Sequence, residues 1–178
     1  MEKLSKNGFI DLFYGDESHV CSEGYVPYGW QFPTEDVYIA VEKGHKINIF
    51  GLISRTNQTH WTTTEKNIDT LFIFNQMEDL SFTIQKQTVV VLDNASIHTA
   101  KRIQEQIPFW QQRGLFIFYL PPYSPQLSIA ETLWRKMKRE WIDPDDYLEK
   151  DNLFYAINRF LANVGTNVNI KFSDFNIN

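Results

Sequence analysis

The run TVVVL at Thr88 to Leu92 restricts the possible folds more than any other stretch of this chain. It is β-branched and apolar on both faces, the pattern of a strand covered above and below, and lacks the alternation of a half-exposed strand. Such a strand belongs in the middle of a sheet flanked by helices, which makes the chain α/β. Asp93-Asn94 comes next in the sequence. Asp93 is therefore expected at the carboxyl edge of the sheet, where open α/β folds place their ligands.

A second buried strand is expected at Leu115 to Leu120. Pro121, Pro122 and Pro125 then forbid a regular helix or ladder until Ser128. Beyond them Leu127, Ala130, Trp134, Met137 and Trp141 recur at helical spacing as an apolar stripe. Glu131 lies beside that stripe, between Leu127 and Trp134, and a carboxylate turned toward a core is costly without a cation or hydrogen bonds. Taken singly, each acid has a commoner explanation. Ser128-x-x-Glu131 spells a capping box, and Asp-Asn after a strand is usually a turn or helix cap. Together, with the proline-rich loop between them, they point to a site. An acid at a strand's end and another on a helix is how phosphoryl-transfer enzymes hold metals.

VVVLDNASIHTAKR followed by LPPYSPQLSIAETLWRKMKREW resembles the DDE-type transposases of bacterial insertion sequences related to the mariner superfamily. The shared pattern is Asp-Asn with a nearby His, then a Pro-Tyr-Ser-Pro loop leading to a Glu before a Trp. Ser128-Ile129 departs from it, since Asn-Pro is the commoner pair. Ser can cap a helix as Asn does, and proline is not required at a first helical position, so Glu131 keeps its assignment.

A third carboxylate is needed to hold two metals, and Asp16 is the candidate. Phe9 to Tyr14 reads as a strand ended by Gly15-Asp16-Glu17-Ser18. The resemblance implies that the first acid sits in an Asp-Glu-Ser at the end of the first strand. Asp11 competes but lacks the following Glu-Ser, and strand alternation turns Glu17 to the opposite face. The resemblance then implies that Asp16, Asp93 and Glu131 are catalytic and hold two Mg²⁺ or Mn²⁺ ions. Hard oxygen ligands suit those ions. His98 would orient Asp93 or touch a phosphate, and Asn94 would bond a phosphate or brace the turn. Arg135, Lys138 and Arg139 share a helix face, expected to contact DNA phosphates.

Val37 to Val41 and Ile47 to Ile53 read as two further strands around the turn Glu42-Lys43-Gly44-His45. Helices are expected at Thr64 to Asp79 with Thr64 as cap, at Ala100 to Trp110, and at Glu149 to Val164. Three antiparallel strands followed by two parallel ones, flanked by helices, give the order of an RNase H-like mixed sheet. The loop His19 to Asp36, with Tyr28 and Trp30, is expected to pack on its own rings. Residues 1–165 read as the catalytic domain and 166–178 as a polar tail.

Composition bounds the reading. At 178 residues and 43% hydrophobic, the chain is long enough for one self-sufficient core. Its single cysteine, Cys21, rules out an internal disulfide and suits a reducing, cytoplasmic compartment. No apolar run spans a membrane. The net charge of −5 argues mildly against a general nucleic-acid binder, but a metal-dependent site itself concentrates acids. The resemblance implies DNA partners (transposon ends and target), a homodimer at synapsis, and an N-terminal helix-turn-helix recognition region. Asp16 comes too early for such a module to precede it, so it is expected to be supplied elsewhere. Three functions follow: a DNA strand transferase, a nuclease of the same fold that does not join, and an inactive remnant serving as a binding or dimerising module.

Overall fold

The computed structural model describes residues 1–21, 44–121 and 128–172. A short helix, α1 (Glu2–Lys6), leads into a long strand, β1 (Asp11–Cys21), and β2 (Lys46–Ile53) and β3 (Thr59–Thr64) follow. Next come helix α2 (Thr70–Thr83), strand β4 (Thr88–Leu92), the one-turn helix α3 (Ser96–Thr99) and helix α4 (Lys101–Gln112). Strand β5 (Leu115–Tyr119) precedes helix α5 (Ala130–Lys136), which continues as a π-helical turn, Met137–Trp141. After a 3-10 turn at Pro144–Tyr147, helix α6 (Lys150–Asn163) is the last helix among the described residues.

The sheet runs β3-β2-β1-β4-β5, with β1 to β3 antiparallel and β4 and β5 parallel to β1. This is the mixed sheet expected. β4 is buried along its whole length, because both faces are covered. Val89 and Val91 join Leu12 and Tyr14 under α5 and α6, whereas Val90 and Leu92 join Phe13, Phe50 and Leu52 under α2 and α4. Each such aliphatic side chain contributes about 1.5–3 kcal/mol by leaving water, so the sheet's centre is its most firmly held part.

Several expectations shift. β1 does not stop at Tyr14: pairing with β2 carries it through Gly15, Asp16 and Glu17 to Cys21. The third antiparallel strand among the described residues is Thr59–Thr64, and Val37–Val41 and the Trp30 loop lie outside them. Thr64 therefore ends a strand, and Asp69 caps α2 by accepting the Phe72 backbone N–H at 2.8 Å. α4 runs through Pro108 to Gln112, since Ile103 and Trp110 anchor it to the core on both sides of the proline. The expected polar tail begins by rejoining the core, with Val168 and Ile170 buried. Asn57, at φ 64°, grips Ile170 there: its Nδ2 donates to the carbonyl at 3.1 Å and its Oδ1 accepts the N–H at 2.7 Å.

Candidate functional site

β1 and β4 run parallel with Tyr14 level with Val91. The next residue but one on each strand is an aspartate, Asp16 on β1 and Asp93 just past β4. Register alone thus sets the two acids side by side at the carboxyl edge. Asp16 faces α5, and its Oδ2 accepts the Trp134 indole N–H at 3.1 Å. Opposite Asp16 on β2 stands Gly51, and a Cβ there would lie 2.5 Å from Trp134 Cη2. A side chain at this position would collide with the indole that reaches the carboxylate. Burial, then the negative charges of Glu17 and Asp93, push the Asp16 carboxyl up to about 7, although the Glu17 backbone N–H and the indole pull the other way.

Asp93 is braced from within its own loop. Its Oδ1 accepts the Ala95 backbone N–H at 2.9 Å and the His98 Nδ1–H at 2.8 Å. The other ring nitrogen of His98 donates to Glu17 Oε1 at 2.6 Å. Glu17 faces away from Asp16, as alternation requires, and the fully buried His98 ring connects it to Asp93. Burial disfavours a charged His98 ring, but the bonds to Glu17 and Asp93 outweigh it and raise its pKa. The Asn94 side chain donates to the Leu120 carbonyl, which ties the end of β4 to the end of β5 and braces the turn.

The third acid is placed differently. Glu131 was expected to turn toward the core or to cap its helix with Ser128, and it does neither. It is exposed in the first turn of α5, Ile129 holds the N-cap position without a side-chain cap, and Glu131 has no bonded partner among the described residues. Ala130, Leu133 and Trp134 form the buried face, which turns Glu131 outward, one turn before the indole on Asp16. Arg135 and Arg139 are exposed, while Lys138 in the π-helical turn is half-buried. Burial lowers the Lys138 pKa, opposed by its neighbours Cys21 and Asp16. Lys138 and Lys46 in turn act on His19, whose pKa is lowered by burial first and by these two cations after it. Lys138 therefore lies in reach of Asp16 on one side and of His19 and Lys46, toward the end of β1, on the other. Only Lys138 stood out in the sequence, because the β1–β2 pairing brings the other two together.

The donor set at Asp16 and Asp93 suits a hard divalent cation. Burial and the charges of Glu17 and Asp93 make Asp16 costly to ionise, and Asp93 Oδ2 has no partner among the described residues. A cation would relieve that cost. Yet no group of three His, Cys, Asp or Glu side chains among the described residues is close enough to hold one ion, so Glu131 is not gathered with the other two.

Comparison with known proteins fits this geometry. A family model described as "DDE superfamily endonuclease" matches residues 11–153. In fold the chain is similar to the Mos1 strand transfer complex, 14% identical with a TM-score of 0.53, covering 93% of this chain and 56% of that one. A pre-cleavage Mos1 transpososome gives 14% identity and a TM-score of 0.55, over 92% of this chain and 56% of that one. The catalytic core domain of BIV integrase gives 16% and 0.56, over 89% of this chain and 86% of that one. The chain thus spans little more than half the length of the Mos1 chains it matches. The mixed five-stranded sheet is that of RNase H-like transposase and integrase cores. No curated protein sequence matches the chain.

Proposed function

The chain belongs to the DDE superfamily endonucleases, and from that premise we propose that it is the catalytic domain of a transposase. Its reaction would be divalent-metal-dependent DNA strand cleavage and strand transfer at insertion-sequence ends. The observation that carries this reading is the register that sets Asp16 beside Asp93 in a field of like charge. Asp16, Asp93 and Glu131 would hold two Mg²⁺ or Mn²⁺ ions, with Glu131 drawn in from its exposed position on α5. When bound, such ions supply Lewis acidity toward the attacking and leaving oxygens of a phosphodiester.

The chain's own residues would position the reactants. No side chain need act as nucleophile: water serves for cleavage and a DNA 3′-hydroxyl for joining. His98 steadies Asp93, Asn94 fixes the loop beneath it, and Arg135, Lys138 and Arg139 take phosphates in register with the acids. Lys138 is the best placed of the three, since it already lies in the field of Asp16. Partners would be transposon ends and target DNA, with a homodimer at synapsis and a separate N-terminal recognition module. Among the described residues no helix is long and apolar enough to cross a membrane, and the proposed place of action is DNA in a bacterial cytoplasm.

A second reading, an inactive remnant kept as a binding or dimerising module, draws on the ungathered Glu131. A strand-transfer assay with pre-cut ends and Mn²⁺ decides. Joined product that disappears in Asp93→Asn supports the transposase. Hydrolysis without joining would leave a nuclease of the same fold. No metal-dependent cleavage by the parent chain would favour the remnant.

A further inference from the structure

We infer that Glu17, acting through His98, sets the orientation of the Asp93 carboxylate. The two form a positioning relay that enters the site from the opposite face of β1. Consecutive residues of one strand thereby serve the same site from both sides: Asp16 directly, and Glu17 by way of an imidazole. The inference deepens the reading of Asp93 as a ligand for Mg²⁺ or Mn²⁺, and rests on it.

The geometry leaves His98 little freedom. Its ring is completely buried, with a carboxylate oxygen 2.6 Å from Nε2 and another 2.8 Å from Nδ1. Its backbone is held as well, the N–H by the Ala95 carbonyl at 3.0 Å and the carbonyl by the Tyr119 hydroxyl at 2.8 Å. Both neighbours are carboxylates, so the ring meets both as a donor only with both nitrogens protonated, giving Nε2–H to Glu17 and Nδ1–H to Asp93. That donor and the Ala95 N–H both fall on Oδ1 of Asp93. Oδ2 is left as the oxygen turned out for a cation. Groups one step behind a metal ligand typically change metal affinity or activity 10–100-fold when altered. Stability alone gives weak reason for such a triad, since burying the ring and drawing Glu17 out of water offsets much of their attraction.

The test is Mn²⁺ titration of the full chain without DNA, followed by calorimetry, with each variant's Tm measured alongside. His98→Gln puts its amide where Nε2 sits, keeping Glu17 and losing the donor to Asp93. His98→Asn puts its amide where Nδ1 sits and keeps that donor. The relay predicts that Glu17→Gln and His98→Gln each weaken Mn²⁺ binding about tenfold, and that His98→Asn loses less. A simple charge effect predicts otherwise, because removing Glu17 would weaken cation binding while removing His98 would leave it unchanged or strengthen it. Mn²⁺ binding by His98→Gln at or above parental strength therefore overturns the relay. If His98→Gln does not fold, Glu17→Gln is compared in the parent and in His98→Asn. Loss in the first background alone supports the relay, and equal loss in both overturns it. Asp93→Asn separates the two levels. If it removes Mn²⁺ binding while His98→Gln does not weaken it, only the relay fails. If Asp93→Asn, or the parent itself, shows the ligand assignment to be wrong, both fail.

Discussion

Asp16 and Asp93 are held by the sheet, Glu131 by a helix, and the two halves of the candidate site differ accordingly. Asp16 on β1 and Asp93 just past β4 reach the same edge because the two strands run in parallel register up to Tyr14 and Val91. Their side chains are engaged by Trp134, Ala95 and His98. Glu131 has only its helix to place it, and that helix is docked by Ala130, Leu133 and Trp134 on its other face. Half the site is thus assembled by folding itself. The proposed third ligand, Glu131, depends on where a short helix comes to rest.

The sharpest way to break this contrast is to neutralise one acid from each half. Asp93→Asn is expected to cost on the order of 10³-fold in strand transfer, and Glu131→Gln as much if the helix half closes on the ions. Single-turnover assays in Mn²⁺ measure both, and a Glu131→Gln enzyme near parental rate would remove that residue from the site. The next effect is on stability. Asp16 titrates near 7 when folded, against an ordinary value of 3.8. A raised folded-state pKa contributes stability below the ordinary value, and that contribution is lost as pH climbs through about 7. Asp16→Asn should therefore be the more stable protein in metal-free buffer at about pH 8, by about 2–4 kcal/mol, with the gap closing toward about pH 4. Urea denaturation at the two pH values checks it, and added Mn²⁺ should shrink the gap by favouring the ionised parent.

Gly51→Ala tests the joint between the halves. Its methyl would meet the Trp134 ring at 2.5 Å, and overpacking of this kind costs about 1–3 kcal/mol. Thermal unfolding reads the loss, and Mn²⁺ affinity should fall with it because the indole leaves Asp16. The smallest effect is expected at Ser128. A working N-cap loses about 1 kcal/mol when changed to Ala, but Ser128 makes no cap bond to α5. Ser128→Ala should stay within about 0.5 kcal/mol of the parent, and a larger loss would mean that the capping box forms in solution.

The same division governs what the sequence made legible. β4 and the position of Asp93 were plain, because an unbroken β-branched run has one comfortable place in an α/β sheet. α6 was equally plain from its apolar spacing. Gly15-Asp16-Glu17-Ser18 looked like a turn, yet cross-strand pairing with Gly51 and Phe50 makes it strand, a case of tertiary context overriding local preference. THWTTT at Thr59–Thr64 was hidden for a similar reason: an edge strand of threonines carries little hydrophobic signal. Glu17 was read onto the correct face, but alternation says where a side chain points and nothing of what it meets. His98 comes from a different element. The capping box, the commoner explanation of Ser128-x-x-Glu131 taken singly, does not form, because α5 starts one residue too late to use Ser128.

The indole resting on Asp16 also makes the chain its own optical probe. Tryptophan emission responds to a neighbouring carboxylate's charge and to any sliding of the surrounding helix. Capture of a cation at Asp16 should therefore register as a change in intrinsic fluorescence that Trp134→Phe abolishes. Binding could then be followed in real time, with no label and no nucleic acid present.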